Sequence, residues 1–288
     1  RRWGVTAIHY IDDFIFVAES DEEAAVAVQK FETICAAWNI PIKQEKDVGP
    51  GTNVELLGVV YDTVNMTATM PQGTLERLQQ ACSIGLETGM TTKAAASLVG
   101  LMTWASSCMP QASAFVTALR YAETKARMEN LRFVHLTARI KADLRWWQRA
   151  ADLTSCRNAS ILQTKVTAAR VLHGDAGTEW GLGGYDGTTF YKAKHTPDIL
   201  RAAMRHKRHS SKFLELFNVL VMARIYSADW TGQHVSVSVD NHALPRACER
   251  LTSRSRTECA MLHEIAMLQI RDGWTWEVTW IPRELNDA

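Results

Sequence analysis

Val5-Thr6-Ala7-Ile8-His9-Tyr10-Ile11-Asp12-Asp13-Phe14-Ile15-Phe16-Val17-Ala18 sets two short apolar runs around a pair of adjacent carboxylates. The β-branched and aromatic residues predict two strands, Val5–Tyr10 and Phe14–Ala18, meeting at Ile11-Asp12-Asp13. Asp12 and Asp13 repel one another, and strands disfavour Asp. A divalent cation that neutralises both would resolve the conflict. An ordinary polar turn would also do so, because Asp is common in turns. On the dipeptide alone, both readings stand.

Outward from this hairpin, Ser20-Asp21-Glu22-Glu23 reads as a capping box that opens a helix. Spacings of three and four predict that Val28, Phe31, Cys35 and Trp38 are buried on one face, with Pro41 as the stop. Gly49-Pro50-Gly51 is a turn, followed by a hairpin-like pair, Val54–Tyr61 and Met66–Met70. From Pro71 to about Asp152 the pattern is helical. One helix carries Leu75, Leu78, Cys82 and Leu86 and stops at Gly89. Another runs from Thr91 or Thr92 to Pro110 around Leu98, Leu101, Met102 and Ala105. A third follows Pro110, and a fourth holds Leu144, Trp146 and Trp147. Short helices joined by Gly and Pro predict a small bundle, with the two tryptophans in its core rather than on a base-stacking platform. Between Leu75 and Arg170 stand thirteen Lys/Arg against six Asp/Glu. That balance suits a phosphate backbone and equally suits solvated helix faces.

A polar connector, Ser155-Cys156-Arg157-Asn158-Ala159-Ser160, marks the next boundary. Beyond it the pattern alternates: strands near 166–174, 180–185 and 188–193, a helix near 211–227, a strand at 234–240, helices near 242–252 and 257–271, and a strand at 275–281. The expected class is therefore multi-domain α/β, divided as 1–70, 71–155 and 160–288.

Three carboxylates in the last part need a reason. Asp175 closes Val171-Leu172-His173-Gly174. Glu215 sits early in a helix that is apolar nearly all round, where an ionised carboxylate is costly unless paired or metal-bound. Asp240 follows Val235-Ser236-Val237-Ser238-Val239 on the serine face. Taken singly, each also reads as a strand-end cap, a helix-start residue or a turn.

The composition is that of ordinary globular material: 288 residues, 47% hydrophobic, 22% charged, net charge +1. No apolar run reaches the ~18 residues of a membrane span. The N-terminal residues lack a signal peptide's apolar stretch, and no initiator Met is present, which leads us to expect a fragment or processed product. Six scattered cysteines without metal-ligand spacing read as reduced thiols of an intracellular protein.

Tyr10-Ile11-Asp12-Asp13 resembles the Tyr-x-Asp-Asp motif of reverse transcriptases, and the segments after it keep that family's order. Lys46 lies in Lys43-Gln44-Glu45-Lys46; polymerases often place a Lys near the leaving pyrophosphate as a proton donor, a role open to Lys46 or its neighbour Lys43, and a solvated surface charge is the other reading of both. Leu56-Leu57-Gly58-Val59-Val60-Tyr61-Asp62 resembles the Phe-Leu-Gly hairpin with which that family grips the primer. The helices after residue 71 take the place of the thumb. Leu144-Arg145-Trp146-Trp147 is similar to the Leu-x-Trp-Trp stretch of DIRS-type and related retrotransposons. The family's fingers and front of the palm, with a further metal-binding Asp, precede its motif, so the chain alone is expected not to polymerise.

Asp175, Glu215 and Asp240, in this order, resemble the metal-binding set of the RNase H fold. Asp240-Asn241-His242-Ala243 is similar to the Asp-Asn stretch of retroelement versions. Ile281–Ala288 resembles the start of the closing Asn-x-x-Ala-Asp motif; if Asn286 is its Asn, the motif's Ala and final Asp are expected past Ala288, and Asp287 is out of register. The resemblance thus implies a partial reverse-transcriptase palm hairpin and helical thumb, followed by an RNase H-like mixed α/β domain. It implies two Mg²⁺ ions at each acidic site, the first held by Asp12 and Asp13 and the second by Asp175, Glu215 and Asp240. The chemistry implied at the second site is two-metal hydrolysis of RNA in RNA–DNA hybrids. Expected partners are RNA, DNA or their hybrid, together with the missing palm and fingers or a ribonucleoprotein, and no membrane. Tyr10, Lys46, Gly58, Arg205, Lys207, Arg208 and Asn241 are the expected nucleic-acid contacts. A second reading stays open: a former reverse transcriptase serving as a non-catalytic RNA-binding or structural component.

Overall fold

The computed structural model describes residues 6–150, 159–160, 168–205 and 210–286. The chain divides into two compact units, Arg1–Thr67 and Ala68–Ala288. The connector expected near 155–160 falls almost wholly on residues outside the described set.

In the first unit β1 (Thr6–Tyr10) and β2 (Asp13–Val17) pair antiparallel with Tyr10 opposite Asp13, so the turn is Ile11-Asp12. Helix α1 (Asp21–Ala37) starts where the capping signal predicts: the Glu23 N–H donates to Ser20 Oγ at 3.2 Å. The reciprocal bond differs from the standard box, because Glu23 Oε2 accepts from the N–H of Glu19. The helix ends before Pro41. Asn39 takes φ 53°, its N–H donates to the Ala36 carbonyl, and the Ile40 N–H donates to that of Cys35, which is a Schellman close. Cys35 is buried and Phe31 half-buried against Phe14 and Phe16 of β2. Trp38 is not on this face: as the C-cap it leaves the helical spiral and stands 77% exposed.

The stretch expected as one strand, 54–61, is itself a hairpin. β3 (Asn53–Leu56) pairs with β4 (Val59–Asp62) around Leu57-Gly58, whose φ values of 51° and 77° match a type I′ turn. Short β5 (Thr67–Thr69) carries the chain across the division.

The second unit opens with helices. α2 (Gln72–Thr88) buries Leu75, Leu78 and Cys82 and ends at Gly89, φ 80°, while Leu86 is only half-buried. α3 (Thr92–Ala105) is capped by Thr91 Oγ1 and stops five residues short of Pro110. After Pro110 the chain makes a 3-10 turn, Pro110–Phe115, before α4 (Thr117–Met128) and α5 (Ala138–Ala150). Trp147 is fully buried with its indole N–H on the Phe115 carbonyl, and Trp146 stacks on the Phe115 ring at 3.9 Å. Both tryptophans are core. Phe115 also meets the His263 ring at 4.4 Å, and His263 approaches Asp143 Oδ1 to 3.2 Å, so these helices pack directly on the α/β elements beyond them.

Those elements are β6 (Arg170–Gly177), β7 (Gly181–Tyr185), β8 (Phe190–Ala193), α6 (Pro197–Arg205), α7 (Ser210–Tyr226), β9 (His234–Val239), α8 (Leu244–Arg250), α9 (Arg256–Asp272) and β10 (Thr275–Trp280). They make a mixed α/β unit with sheet order β10-β9-β6-β7-β8. β6 lies parallel to β9, and β9 to β10, while β7 and β8 run antiparallel. Helix α6 has no counterpart among the expected elements. Helix α7 packs on β6 as closely as Gly174 allows, since a Cβ there would meet Met222 Cε at 2.6 Å and Asn218 Nδ2 at 2.9 Å. Gly181, at φ 109°, lets β7 pass the Ala193 carbonyl.

Candidate active site

Asp175, Glu215 and Asp240 reach one place from three elements. Asp175 lies in β6 opposite Gly183 on β7, Glu215 in the second turn of α7, and Asp240 directly after β9. The parallel pairing of β6 with β9 brings the two aspartates to neighbouring strands. The close α7–β6 approach brings in the glutamate.

Burial raises the Asp175 carboxyl, and the negative charge of Asp240 adds to this; the Ala176 N–H, donating to Oδ1 at 2.7 Å, and the Arg283 guanidinium act against it. Glu215 is only 5% exposed. Burial first, and then the facing Asp240 carboxylate, push it up to about 7, against the donors Ser211 Oγ at 2.8 Å and Asn241 Nδ2 at 3.3 Å. Both donors serve Oε1. Oε2 of Glu215 and Oδ1 of Asp240 are buried without a hydrogen-bond partner. Two carboxylate oxygens desolvated and unserved at one spot are expensive unless a proton or a cation lies between them.

Such hard oxygen donors are the type that Mg²⁺ takes. Among the described residues, though, no three His, Cys, Asp or Glu side chains close into a ready ligand set. One Asp175 oxygen is committed to its neighbour's N–H.

Two asparagines hold the backbone on either side of the Asp175 Cα. Asn218, fully buried one turn after Glu215, donates to the carbonyls of Asp175 at 3.0 Å and Gly183 at 2.7 Å, and its Oδ1 accepts from the Tyr191 hydroxyl at 2.6 Å. Asn286 donates to the Gly174 carbonyl at 3.2 Å. Trp280 donates from its indole to the Asp240 carbonyl at 3.1 Å and stacks on His242 at 3.9 Å. Sequence reasoning missed Asn218, Ser211, Arg283 and Trp280 as parts of this site. Only Asn218 left a signal: an amide within Leu216-Phe217-Asn218-Val219-Leu220 must find partners.

The hairpin site is different in kind. Asp12 and Asp13 are exposed, beside Tyr10 at 55% and Ile11 at 70% exposed. Ile11 takes φ 52°, an outlier for a β-branched residue. No third carboxylate joins this pair among the described residues. Gly58 occupies its turn, and Lys46 ends a 3-10 turn, Gln44–Lys46, with a side chain outside the described set. Arg205 is exposed at the end of α6, and Lys207 and Arg208 lie outside the described residues. Asn241, expected as a nucleic-acid contact, bonds Glu215 and caps its own loop at the Ala243 N–H.

No family model and no curated protein matches the chain. Among solved structures it is similar to the foamy viral protease-reverse transcriptase in three complexes. The dRH form with double-stranded DNA is 15% identical at a TM-score of 0.48, over 95% of this chain and 46% of that one. The complex with an RNA/DNA hybrid is 14% identical at 0.43, over 98% and 36%. A further complex with double-stranded DNA is 14% identical at 0.24, over 95% and 55%. The chain thus spans 36–55% of the length of the chains it matches. Among the described residues no helix is long and apolar enough to cross a membrane.

Proposed function

We propose that the second unit is an RNase H-like nuclease site and that the chain is part of a retroelement RNA-directed DNA polymerase, with Asp12 and Asp13 at the rear of its palm. The observation that carries this reading is the convergence of Asp175, Glu215 and Asp240, with two buried carboxylate oxygens left unserved. The neighbours' complexes with double-stranded DNA and an RNA/DNA hybrid accord with nucleic acid as the partner class.

In this reading Asp175, Glu215 and Asp240 would hold Mg²⁺, which would supply the Lewis-acid chemistry of phosphodiester hydrolysis. Asn218 and Asn286 keep the Asp175 backbone in place. Ser211 and Asn241 orient Glu215 through Oε1 and leave Oε2 free for a ligand. The Arg283 charge near Asp175 suits an approaching phosphate.

The test is cleavage of a labelled RNA strand in an RNA–DNA hybrid with Mg²⁺, using the protein at its full natural length. Cleavage by the wild type and none by Asp175→Asn supports the nuclease. A well-folded wild type that binds the hybrid without cutting it supports the non-catalytic component instead.

A further inference from the structure

Away from the carboxylates, a cavity of about 580 Å³ opens between α4, the loop at 131–137, the start of α5 and the start of α9. Its walls include Ala118 and Ala122 of α4 and Ala260 of α9. Larger side chains at these positions would close the gap, as facing helices normally do. Its charge is one-sided: Lys125, Arg139, Arg254 and Arg256 against Glu129. Arg139 is engaged by Asp143 at 3.0 Å, and Lys125 stands 3.8 Å from Glu129. Arg256 lies over the Tyr121 ring at 4.6 Å, and Arg254 is exposed with no ion pair or hydrogen bond among the described residues.

A concave, alanine-lined space within the ~300–1,000 Å³ of small-molecule sites, with Arg254 and Arg256 on its wall and free of ion pairs among the described residues, has a definite complement. We propose that this cavity binds a small organic anion with an apolar body, its charge on Arg254 and Arg256 and its body against Ala118, Ala122 and Ala260. The volume suits a small molecule better than a helix or a duplex. The Cys259 thiol, on the cavity wall and donating to the Ser253 carbonyl at 3.0 Å, gives a local reporter. Nothing in this site depends on the nuclease reading.

The probe is 8-anilinonaphthalene-1-sulfonate, an aromatic anion, titrated into the whole chain by fluorescence. Saturable binding is expected, about tenfold weaker in Arg254→Glu/Arg256→Glu, where attraction becomes repulsion. Ala122→Trp, which fills the space, should weaken it as much, and bound probe should slow alkylation of Cys259 as read by mass spectrometry. The arginine pair is exposed, so it keeps the test valid should Ala122→Trp fail to fold. Displacement by laurate or by adenosine monophosphate then tells an aliphatic carboxylate from a nucleoside phosphate. Unchanged probe affinity in the arginine variant, or displacement by neither compound, overturns the proposal.

Discussion

The two acidic sites invert the usual link between how readable a motif is and how well it is supported. Asp12 and Asp13 sit side by side in the chain on an exposed two-residue turn whose first residue, Ile11, has a positive φ. Asp175, Glu215 and Asp240 are scattered over 66 positions, yet a sheet and a buried helix bring them together, with two asparagines and a serine fixing their surroundings. A site built on rigid elements carries its own pre-organisation, whereas a pair on a turn depends on what packs around it.

Neutralising each site in turn puts this contrast at greatest risk. Asp175→Asn is expected to lower hybrid cleavage by about a thousandfold or more, as loss of a metal-holding charge does. Asp12→Asn with Asp13→Asn should leave the same assay unchanged. A cleavage defect in the hairpin variant would dissolve the distinction.

Support around the trio is tested next by Asn218→Leu. It unpairs the Asp175 and Gly183 carbonyls and the Tyr191 hydroxyl. We expect a loss of ~3 kcal/mol in the denaturant-unfolding stability of the second unit, as befits several buried polar groups left unpaired.

Much of the frame was legible. The period-two valines of β9 and the all-round apolar α7 announced buried elements, and Ser20 announced the start of α1. What escaped had physical reasons. Leu57 takes the turn position that Asn normally fills, so a hairpin read as one strand. Asn39 closes α1 with a left-handed residue and swings Trp38 off the buried face. Helix α6 was announced by Thr196-Pro197, with Thr196 Oγ1 accepting the Ile199 N–H, but was lost in the loop between strand and helix signals. The partners of the trio come from residues far apart in sequence, which no local pattern can reveal.

A pH titration separates the strained trio from a carboxylate that is fully satisfied. In Asp186 burial opposes the charge, but the N–H and hydroxyl groups of Thr189 and Thr188 outweigh it and hold the carboxyl at about 2, below its ordinary 3.8. Because the folded value is the lower one, this stabilisation is complete above about pH 4 and drains away as pH falls towards 2. Asp186→Asn should flatten that part of the acid-unfolding curve monitored by circular dichroism. The smallest effect belongs to the hairpin unit. Leu57→Asn should stabilise β3–β4 by about 0.5–1 kcal/mol by relieving the positive φ, measured as slower amide exchange there.

Calorimetric titration with Mg²⁺ decides whether the scattered trio, and not the adjacent pair, is the cation site this chain can build for itself. Binding is expected to survive Asp12→Asn/Asp13→Asn and to disappear in Glu215→Gln. Binding that disappears with the hairpin pair and persists in Glu215→Gln would assign the cation to the turn and refute the trio.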